Sequence, residues 1–159
     1  MNGGNLLLRI FIVFIIVLLA SCSSETSNTN LAIENSEYDT LLVQEVKNNT
    51  SSSDMKKTIN DKNLVEGIIS AIEDENIELK KNDENVELEY KMKTENYYQI
   101  LMSEGDYVNT SNAFTLIIFE DGTVITSEPN ESTELSFSYI STDKHSKLLD
   151  DLEDLLSSS

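Results

Sequence analysis

The stretch Phe114-Thr115-Leu116-Ile117-Ile118-Phe119-Glu120, then Asp121-Gly122, then Thr123-Val124-Ile125-Thr126, decides the fold. Asp-Gly between two β-rich runs predicts a hairpin, because a two-residue type I′ turn needs positive φ at both of its positions. Such a turn pairs Phe119 with Val124 on one face of the sheet and Ile118 with Ile125 on the other. The first run is apolar on both faces, which is typical of a strand at the centre of a sheet.

Other strands are predicted on either side of this hairpin along the chain. Tyr38–Val46 is rich in apolar residues and predicts the first strand. Asn85–Lys93 alternates apolar and charged residues, and Tyr97–Met102 follows after a short polar link, so the two are predicted to form a half-buried hairpin. Leu135–Ile140 alternates in the same way and predicts the last strand.

Two amphipathic helices are predicted. Asn60 or Asp61 can cap a helix that runs to about Glu75, and Gly67 within it indicates a close approach to a sheet. Ser141 or Thr142 is expected to cap the final helix. Each helix carries one apolar stripe at helical period, formed by Leu64, Val65, Ile68, Ile69 and Ile72 in the first and by Leu148, Leu149, Leu152, Leu155 and Leu156 in the second.

These elements follow one another in the order β-α-β-β-β-β-β-α. Hairpin-linked strands with two amphipathic helices favour an α+β domain. We therefore expect an antiparallel sheet of five to six strands with both helices packed on one face.

The N-terminus has the layout of a secretory signal. Met1–Asn5 is short and polar, Arg9 is the only basic side chain before Cys22, and Ile10–Leu19 is an unbroken apolar run. A membrane-spanning helix needs about 20 apolar residues, and this run is too short.

Leu19-Ala20-Ser21-Cys22 closes that run and resembles the lipobox of bacterial lipoproteins. The resemblance covers roughly the first 22 residues. It implies cleavage between Ser21 and Cys22 and attachment of diacylglycerol to the Cys22 sulfur, so that the membrane is the partner of the mature N-terminus. The alternative is an ordinary signal peptide with a cysteine at its exit by chance.

The chain is accordingly expected to divide into three parts: a lipoprotein signal peptide at 1–21, a flexible polar tether at 22–37 and a single α+β domain at 38–159. Cys22 is the only cysteine. No internal disulfide can therefore form, and the stability of the domain must come from core packing.

The charge is strongly negative. All 29 acidic and ten of the eleven basic residues follow Cys22, so the chain from Cys22 onward carries −19. Nucleic acid is excluded as a partner, because a polyanion is repelled. Solubility explains this acidity most simply; adaptation to a salty or alkaline exterior and loose cation binding are the alternatives.

A second, looser resemblance covers about residues 38–156. Thr58-Ile59-Asn60-Asp61-Lys62 leading into a helix, a later Asp-Gly turn, and Tyr139-Ile140-Ser141-Thr142 leading into a leucine-rich helix look like the small YhfM-like lipoproteins of Gram-positive bacteria. The resemblance implies the same fold class and the outer face of the cell membrane, and it carries no activity.

The sequence contains no recognisable catalytic or metal-binding motif. His145 is the only histidine, and we expect it to be an exposed residue in the first turn of the final helix. No cofactor or metal site is predicted. Tyr97, Tyr98 and Tyr107 could face a ligand, although adjacent strand residues point to opposite faces.

The sequence thus favours a lipid-anchored, extracytoplasmic, non-catalytic binding or interaction module, with an envelope protein as a possible partner. The alternative is a cell-envelope hydrolase whose acidic residues form no recognisable motif. Two carboxylates in a concave pocket would favour the hydrolase, and a flat surface would favour the module.

Overall fold

One antiparallel sheet of eight strands organises the part of the chain that the computed structural model describes, residues 28–33, 38–82, 85–105, 108, 113–127 and 139–157. The strands are β1 (Thr29–Asn30), β2 (Thr40–Val46), β3 (Lys56–Ile59), β4 (Glu78–Lys81), β5 (Tyr97–Ser103), β6 (Phe114–Phe119), β7 (Val124–Thr126) and β8 (Tyr139–Ser141). Their order across the sheet is β1-β4-β8-β7-β6-β5-β2-β3. Three α-helices accompany them: α1 (Lys62–Asp74), α2 (Asn85–Thr94) and α3 (Ser146–Ser157).

The predicted central hairpin forms, but its register is shifted. β6 lies inside the sheet and every residue in it is buried, as its apolar run predicts. Gly122 N donates to Phe119 O at 2.8 Å and Phe119 N donates to Thr123 O at 2.9 Å, so three residues form the loop rather than two. Ile118 therefore pairs with Val124, and Ile117 pairs with Ile125. A slip of one residue exchanges the faces, so Val124 and Ile125 lie on the faces opposite to those predicted.

The larger hydrophobic core lies between one face of the sheet and the helices α1 and α3. Asp61 caps α1 as predicted, because its carboxylate accepts hydrogen bonds from Asn63 N and Leu64 N. The strands contribute Leu41, Val43, Ile59, Leu79, Ile100, Met102, Phe114, Leu116, Ile118 and Val124, and the helices contribute Val65, Ile68, Ile72, Leu148 and Leu152. The two predicted stripes thus pack as expected. Gly67, however, lies against α3, where its added Cβ would be 3.7 Å from Leu155 Cδ2, and not against the sheet.

A smaller core covers the opposite face of the sheet. It consists of Val46, Tyr97, Ile117, Phe119 and Ile125 from the strands and Leu88 from α2, with Met92 and Ile140 partly buried beside them. The two predicted helices, α1 and α3, thus share one face as expected, whereas α2, which was predicted as a strand, covers the other face.

The strand predicted at Asn85–Lys93 is a helix, α2. Glu, Leu, Lys and Met are strong helix formers, and Leu88 and Met92 are four residues apart. That spacing puts two residues on the same face of a helix as well as of a strand, so the alternating pattern fits both structures. The helical solution leaves Tyr90 exposed at 70%, whereas a half-buried strand would have buried it.

The sheet begins earlier along the chain than predicted. Thr29 and Asn30 pair with Leu79 and Glu78 of β4, and Ile33 is buried in the larger core. The prediction of a free tether therefore does not hold for residues 28–33. Leu31 and Ile33 supply apolar surface, and the edge of β4 supplies backbone partners, which together order this segment.

The α+β class and the antiparallel sheet are confirmed, whereas the predicted element counts and order are not. The described residues form eight strands and three α-helices where five to six strands and two helices were expected, because β1, β3, β4 and α2 were not recognised. Residues 135–138 of the predicted last strand lie outside the described residues. Within the described residues, no helix is long and apolar enough to cross a membrane.

Candidate functional site

Polar side chains gather where the β6–β7 turn meets the start of α3. We call this group the turn cluster: Glu75, Lys91, Asp121, Lys144, His145 and Lys147. Its centre is Gly122, whose φ of +84° favours glycine and whose added Cβ would lie 2.7 Å from Ser146 N and 2.8 Å from His145 N. His145 N donates to Gly122 O at 2.8 Å. Only a residue without a side chain lets the turn and the helix approach this closely.

Asp121 is the anionic centre of the turn cluster. Its Oδ2 accepts hydrogen bonds from Lys91 Nζ at 2.8 Å and Lys144 Nζ at 2.9 Å, and its Oδ1 accepts one from Thr123 N at 3.0 Å. Partial burial opposes the charged carboxylate, but the hydrogen bonds from Lys91, Lys144 and Thr123 outweigh it and hold the pKa of Asp121 well below its ordinary value. Asp121 is therefore charged at neutral pH and fixes both the turn and α2.

Lys91 links α2 to the smaller core. Its side chain is only 16% exposed, and Nζ lies 4.7 Å from the centroid of the Phe119 ring, a cation–π geometry. The same ammonium group contacts Glu95 at 2.6 Å. Its aliphatic stem and its charge both have partners, so this lysine has a structural explanation.

The His145 side chain is largely buried, contrary to the expectation of an exposed residue. Its side chain is 10% exposed, and Nδ1 lies 3.3 Å from Glu75 Oε2, while Lys147 Nζ lies 3.5 Å from Glu75 Oε1. Nε2 is buried without a hydrogen-bond partner among the described residues. A general acid or base must reach the proton that it transfers, and in this arrangement Nε2 is shielded from solvent. The pair instead ties the end of α1 to the start of α3.

A second polar group surrounds the Tyr98 hydroxyl. Its oxygen lies 2.9 Å from Glu45 Oε1 and 3.2 Å from Glu153 Oε1, and Glu45 also contacts Lys47 at 2.6 Å. Burial first, and then the Glu45 and Glu153 carboxylates, raise the pKa of Tyr98 well above its ordinary value. The hydroxyl therefore stays protonated, and it joins β5, β2 and α3.

The tyrosines singled out in the sequence are not gathered on one surface. Tyr97 is 9% exposed and packs in the smaller core, with its ring centroid 5.5 Å from that of Phe119. Tyr98 packs against the larger core on the opposite face, as strand alternation predicts. Tyr107 lies outside the described residues, as do Ser21 and Cys22 of the lipobox.

Sequence reasoning missed the turn cluster. Glu75 was expected only as the approximate end of the first helix, and its side chain is 17% exposed. One signal was present in the chain: Asp-Gly marks a turn with positive φ. Nothing in the spacing of residues 75, 121 and 145 indicates that they meet.

The described residues provide no metal site, and the comparisons provide no similar protein, from which a function could be inferred. The described residues contain no group of three or more His, Cys, Asp or Glu that could hold a metal ion. Comparison of the chain with protein-family models, with curated proteins and with solved structures found no match in any of the three.

Proposed function

We propose that this chain is a lipid-anchored extracytoplasmic lipoprotein whose α+β domain is a non-catalytic binding or interaction module. The observation that carries the proposal is Leu19-Ala20-Ser21-Cys22 placed directly after the ten-residue apolar run Ile10–Leu19. A short apolar run with a small-residue exit is the layout of an export signal. The cysteine at its end supplies the sulfur for the lipid.

The use of cysteine in the rest of the chain supports this proposal. The domain has no second cysteine, and its two cores contain aliphatic and aromatic residues with no disulfide between them. The one thiol therefore has no cysteine within the chain to pair with, which is consistent with its use as a modification site. Two acyl chains on Cys22 give firm attachment, because each buried CH₂ contributes about 0.8 kcal/mol.

The geometry of the polar groups supports a non-catalytic domain. Among the groups most suited to acid–base chemistry, His145 contacts Glu75 through Nδ1, and its second ring nitrogen, Nε2, is buried. Asp121 is held by two lysines. In each case the polar atoms join secondary-structure elements to one another, which is what a structural role requires.

One observation favours the second candidate, a cell-envelope hydrolase. Glu45 and Glu153 lie close enough together to contact the same tyrosine oxygen, and paired carboxylates a few ångströms apart, about 5–5.5 Å in retaining enzymes, hydrolyse glycosides. However, the Tyr98 hydroxyl occupies the space between them, where the substrate bond would have to lie. We therefore place this candidate second.

The two candidates are separated by incubating the purified domain with cell-wall material and measuring the release of soluble saccharides and peptides. The proposed module releases nothing above the level of a heat-denatured control. Release that is lost in both Glu45→Gln and Glu153→Gln would establish the hydrolase. Glu66→Gln, a change on the exposed side of α1, is the matched control.

The anchor is tested with Cys22→Ser. In an exporting bacterial host, the wild-type chain is expected in the membrane fraction, with a mature N-terminus at Cys22 and the mass of diacylglycerol added. The serine variant has no sulfur to modify and should remain unprocessed and unlipidated. A variant that is still cut before residue 22 and carries lipid would refute the proposal.

A further inference from the structure

We propose that the β1–β4 edge of the sheet faces the bilayer and that Lys80 and Lys81 contact the phosphates of an anionic phospholipid surface. This inference rests on the proposed lipid anchor at Cys22 and goes beyond it, because it assigns an orientation to the domain. The surface consists of Thr29 and Asn30 of β1 with Lys80 and Lys81 of β4. The opposite edge of the sheet is β3, which then points away from the membrane.

The path of the chain brings the N-terminal end of β1 close to Lys80 and Lys81. β1 runs antiparallel to β4, with Thr29 opposite Leu79 and Asn30 opposite Glu78. Leu31 N donates to Ile77 O at 2.8 Å, which continues the same register. Followed toward its N-terminus, the chain therefore passes from Glu78 toward Lys80 and Lys81. The end that leads to Cys22 leaves the domain beside these two lysines.

The connection between Cys22 and the sheet is short compared with the width of the sheet. Asn28 follows Cys22 by only six positions, and six residues reach at most about 20 Å when fully extended. Asn28 is itself fixed to the edge, since its Nδ2 donates to Glu78 Oε1 at 2.8 Å. Neighbouring strands lie about 4.8 Å apart, so β3, seven strand positions from β1, is roughly 33 Å away. The anchor can hold only one edge of the sheet near the bilayer.

The charges at the β1–β4 edge differ from those on the exposed side of α3. Lys80 and Lys81 are exposed, and neither has an ion pair among the described residues. Glu78 is an acid on the same strand, and its carboxylate accepts the Asn28 hydrogen bond. By contrast, the exposed side of α3 carries the acids Asp150, Glu153 and Asp154. The lipid anchor holds the domain at the surface against the net charge of −19 carried from Cys22 onward. An anionic surface then orients the domain, because it repels the acidic side of α3 and attracts Lys80 and Lys81, which extend to opposite sides of the strand at the edge nearest the anchor.

The two edges provide a matched pair of probe sites. Thr29 on β1 and Thr58 on β3 are both exposed threonines, so Thr29→Cys and Thr58→Cys change the same chemical group at opposite edges. Lipidation consumes the Cys22 sulfur, and the introduced cysteine is then the only thiol of the mature chain. Each variant is labelled with a fluorophore and reconstituted into phosphatidylcholine–phosphatidylglycerol vesicles that carry acceptors in their headgroups.

Energy transfer to the headgroup acceptors reports the orientation. Because the edges lie roughly 33 Å apart, we expect transfer from position 29 to be at least about twofold more efficient than from position 58. Equal transfer, or greater transfer from position 58, overturns the orientation. Circular dichroism of both labelled variants verifies that they are folded before the comparison is made.

The lysines are tested in the Thr29→Cys background with Lys80→Gln and Lys81→Gln together. Transfer should fall in vesicles that contain phosphatidylglycerol and should no longer depend on the phosphatidylglycerol content. Lys56→Gln on β3 is the matched control, because Lys56 is also exposed and has no ion pair among the described residues. Unchanged transfer in the double variant overturns the assignment of Lys80 and Lys81.

Mass spectrometry of each reconstituted sample distinguishes failure of the lipid anchor from failure of the proposed orientation. A chain that carries no lipid on Cys22 contradicts the proposed function, and the orientation with it. A chain that carries the lipid but transfers equally from both edges contradicts the orientation alone and leaves the anchor intact.

Discussion

The two faces of the sheet are covered by different means. On the larger face, α1 and α3 bring complete apolar stripes against strands that are themselves apolar, and the core is wide and continuous. On the smaller face, α2 brings Leu88 and part of Met92, and it is further held by Lys91 over the Phe119 ring. Helical period alone specifies the two helices that cover the larger face. The covering of the smaller face by α2 arises because β6 is apolar on both faces, so that its second apolar face must also be removed from water.

This difference has a consequence for local stability. A region with few buried apolar contacts opens at lower free energy than the core of the domain. α2 has one fully buried apolar side chain among those described, whereas α1 has three and α3 has two. We therefore expect α2 to open before the rest of the domain does.

The largest effect is expected on the larger face, in the double variant Leu148→Ala with Leu152→Ala. Both leucines are almost fully buried, and each such change costs about 2–5 kcal/mol. Total stability is about 5–15 kcal/mol, so much of it should be lost. Thermal and urea unfolding measure the loss, with the exposed residue of the same helix changed in Asp150→Ala as the control.

The double variant also separates two roles of α3. If α3 docked a partner and did not belong to the core, the double variant would keep its melting temperature and lose binding. An unchanged midpoint would therefore contradict the assignment of α3 to the larger core.

On the smaller face, Leu88→Ala is expected to cost about 2–5 kcal/mol, less than the double variant. The loss should be concentrated in α2, because Leu88 is its one fully buried anchor among the described side chains. Hydrogen exchange should show α2 amides losing protection while α1 and α3 keep theirs. Equal loss of protection in all three helices would mean that the faces unfold as one unit, and the distinction between them would fail.

A smaller effect is expected where Asp121 ties α2 to the turn. Its pKa is lower in the folded state than the value of about 3.9 for a free aspartate. A carboxyl with a lowered folded-state pKa contributes stability that is present above the unfolded pKa and is lost as the pH falls through the folded one. Wild type should therefore lose this contribution below about pH 4. Asp121→Asn should be less stable at pH 7 and should show a shallower loss on acidification.

The control for this titration is Asp154→Asn, on the exposed side of α3. Unfolding by urea at a series of pH values gives the difference between each variant and wild type. If Asp121→Asn follows the wild-type curve as closely as Asp154→Asn does, the ion pairs with Lys91 and Lys144 do not stabilise the domain.

The smallest effect, and the only gain, is expected at Gly67→Ala. Glycine inside a helix costs about 1 kcal/mol relative to alanine, and the new Cβ would meet Leu155 Cδ2 at an ordinary contact distance of 3.7 Å. The melting temperature should rise slightly. Gly122→Ala should have the opposite sign, because its Cβ would lie within 3 Å of the backbone of Ser146 and His145. A loss of stability at position 67 would show that α1 and α3 pack too tightly there for a methyl group.

The parts of the fold that sequence predicts are those where one pattern excludes the others. The stripes of α1 and α3 recur at a period that no strand shares. The two-sided apolar run of β6 is short and is followed by Asp-Gly, which together favour a central strand. The prediction of a strand at residues 85–94 was wrong because the two residues that pack against the sheet, Leu88 and Met92, are four positions apart. That spacing fits the period of a helix and the period of a strand alike. β1 failed for a different reason: two residues of a polar segment form a strand only because the β4 edge offers partners.

The candidate site was less predictable than the fold. The opposite placement of Tyr97 and Tyr98 follows from strand alternation alone, and the structure confirms it. The turn cluster joins residues 75, 91, 121 and 145, which belong to four separate segments. No local sequence pattern indicates that these residues contact one another, since each of them is of a type that is common at solvent-exposed helix ends and turns.

The sequence by itself determined the α+β class, the central position of β6, the helices α1 and α3, the strongly negative charge and the absence of disulfides. Each of these depends on period, composition or residue count, which are local properties of the chain. Tertiary structure alone decided the three-residue turn at Gly122, the helical state of α2, the inclusion of β1 and the burial of His145. Each of these depends on what lies opposite in space: the start of α3 against the turn, an uncovered sheet face against α2, an open strand edge against β1, and Glu75 against the imidazole. Close packing selects among conformations that the local sequence leaves nearly equal in free energy.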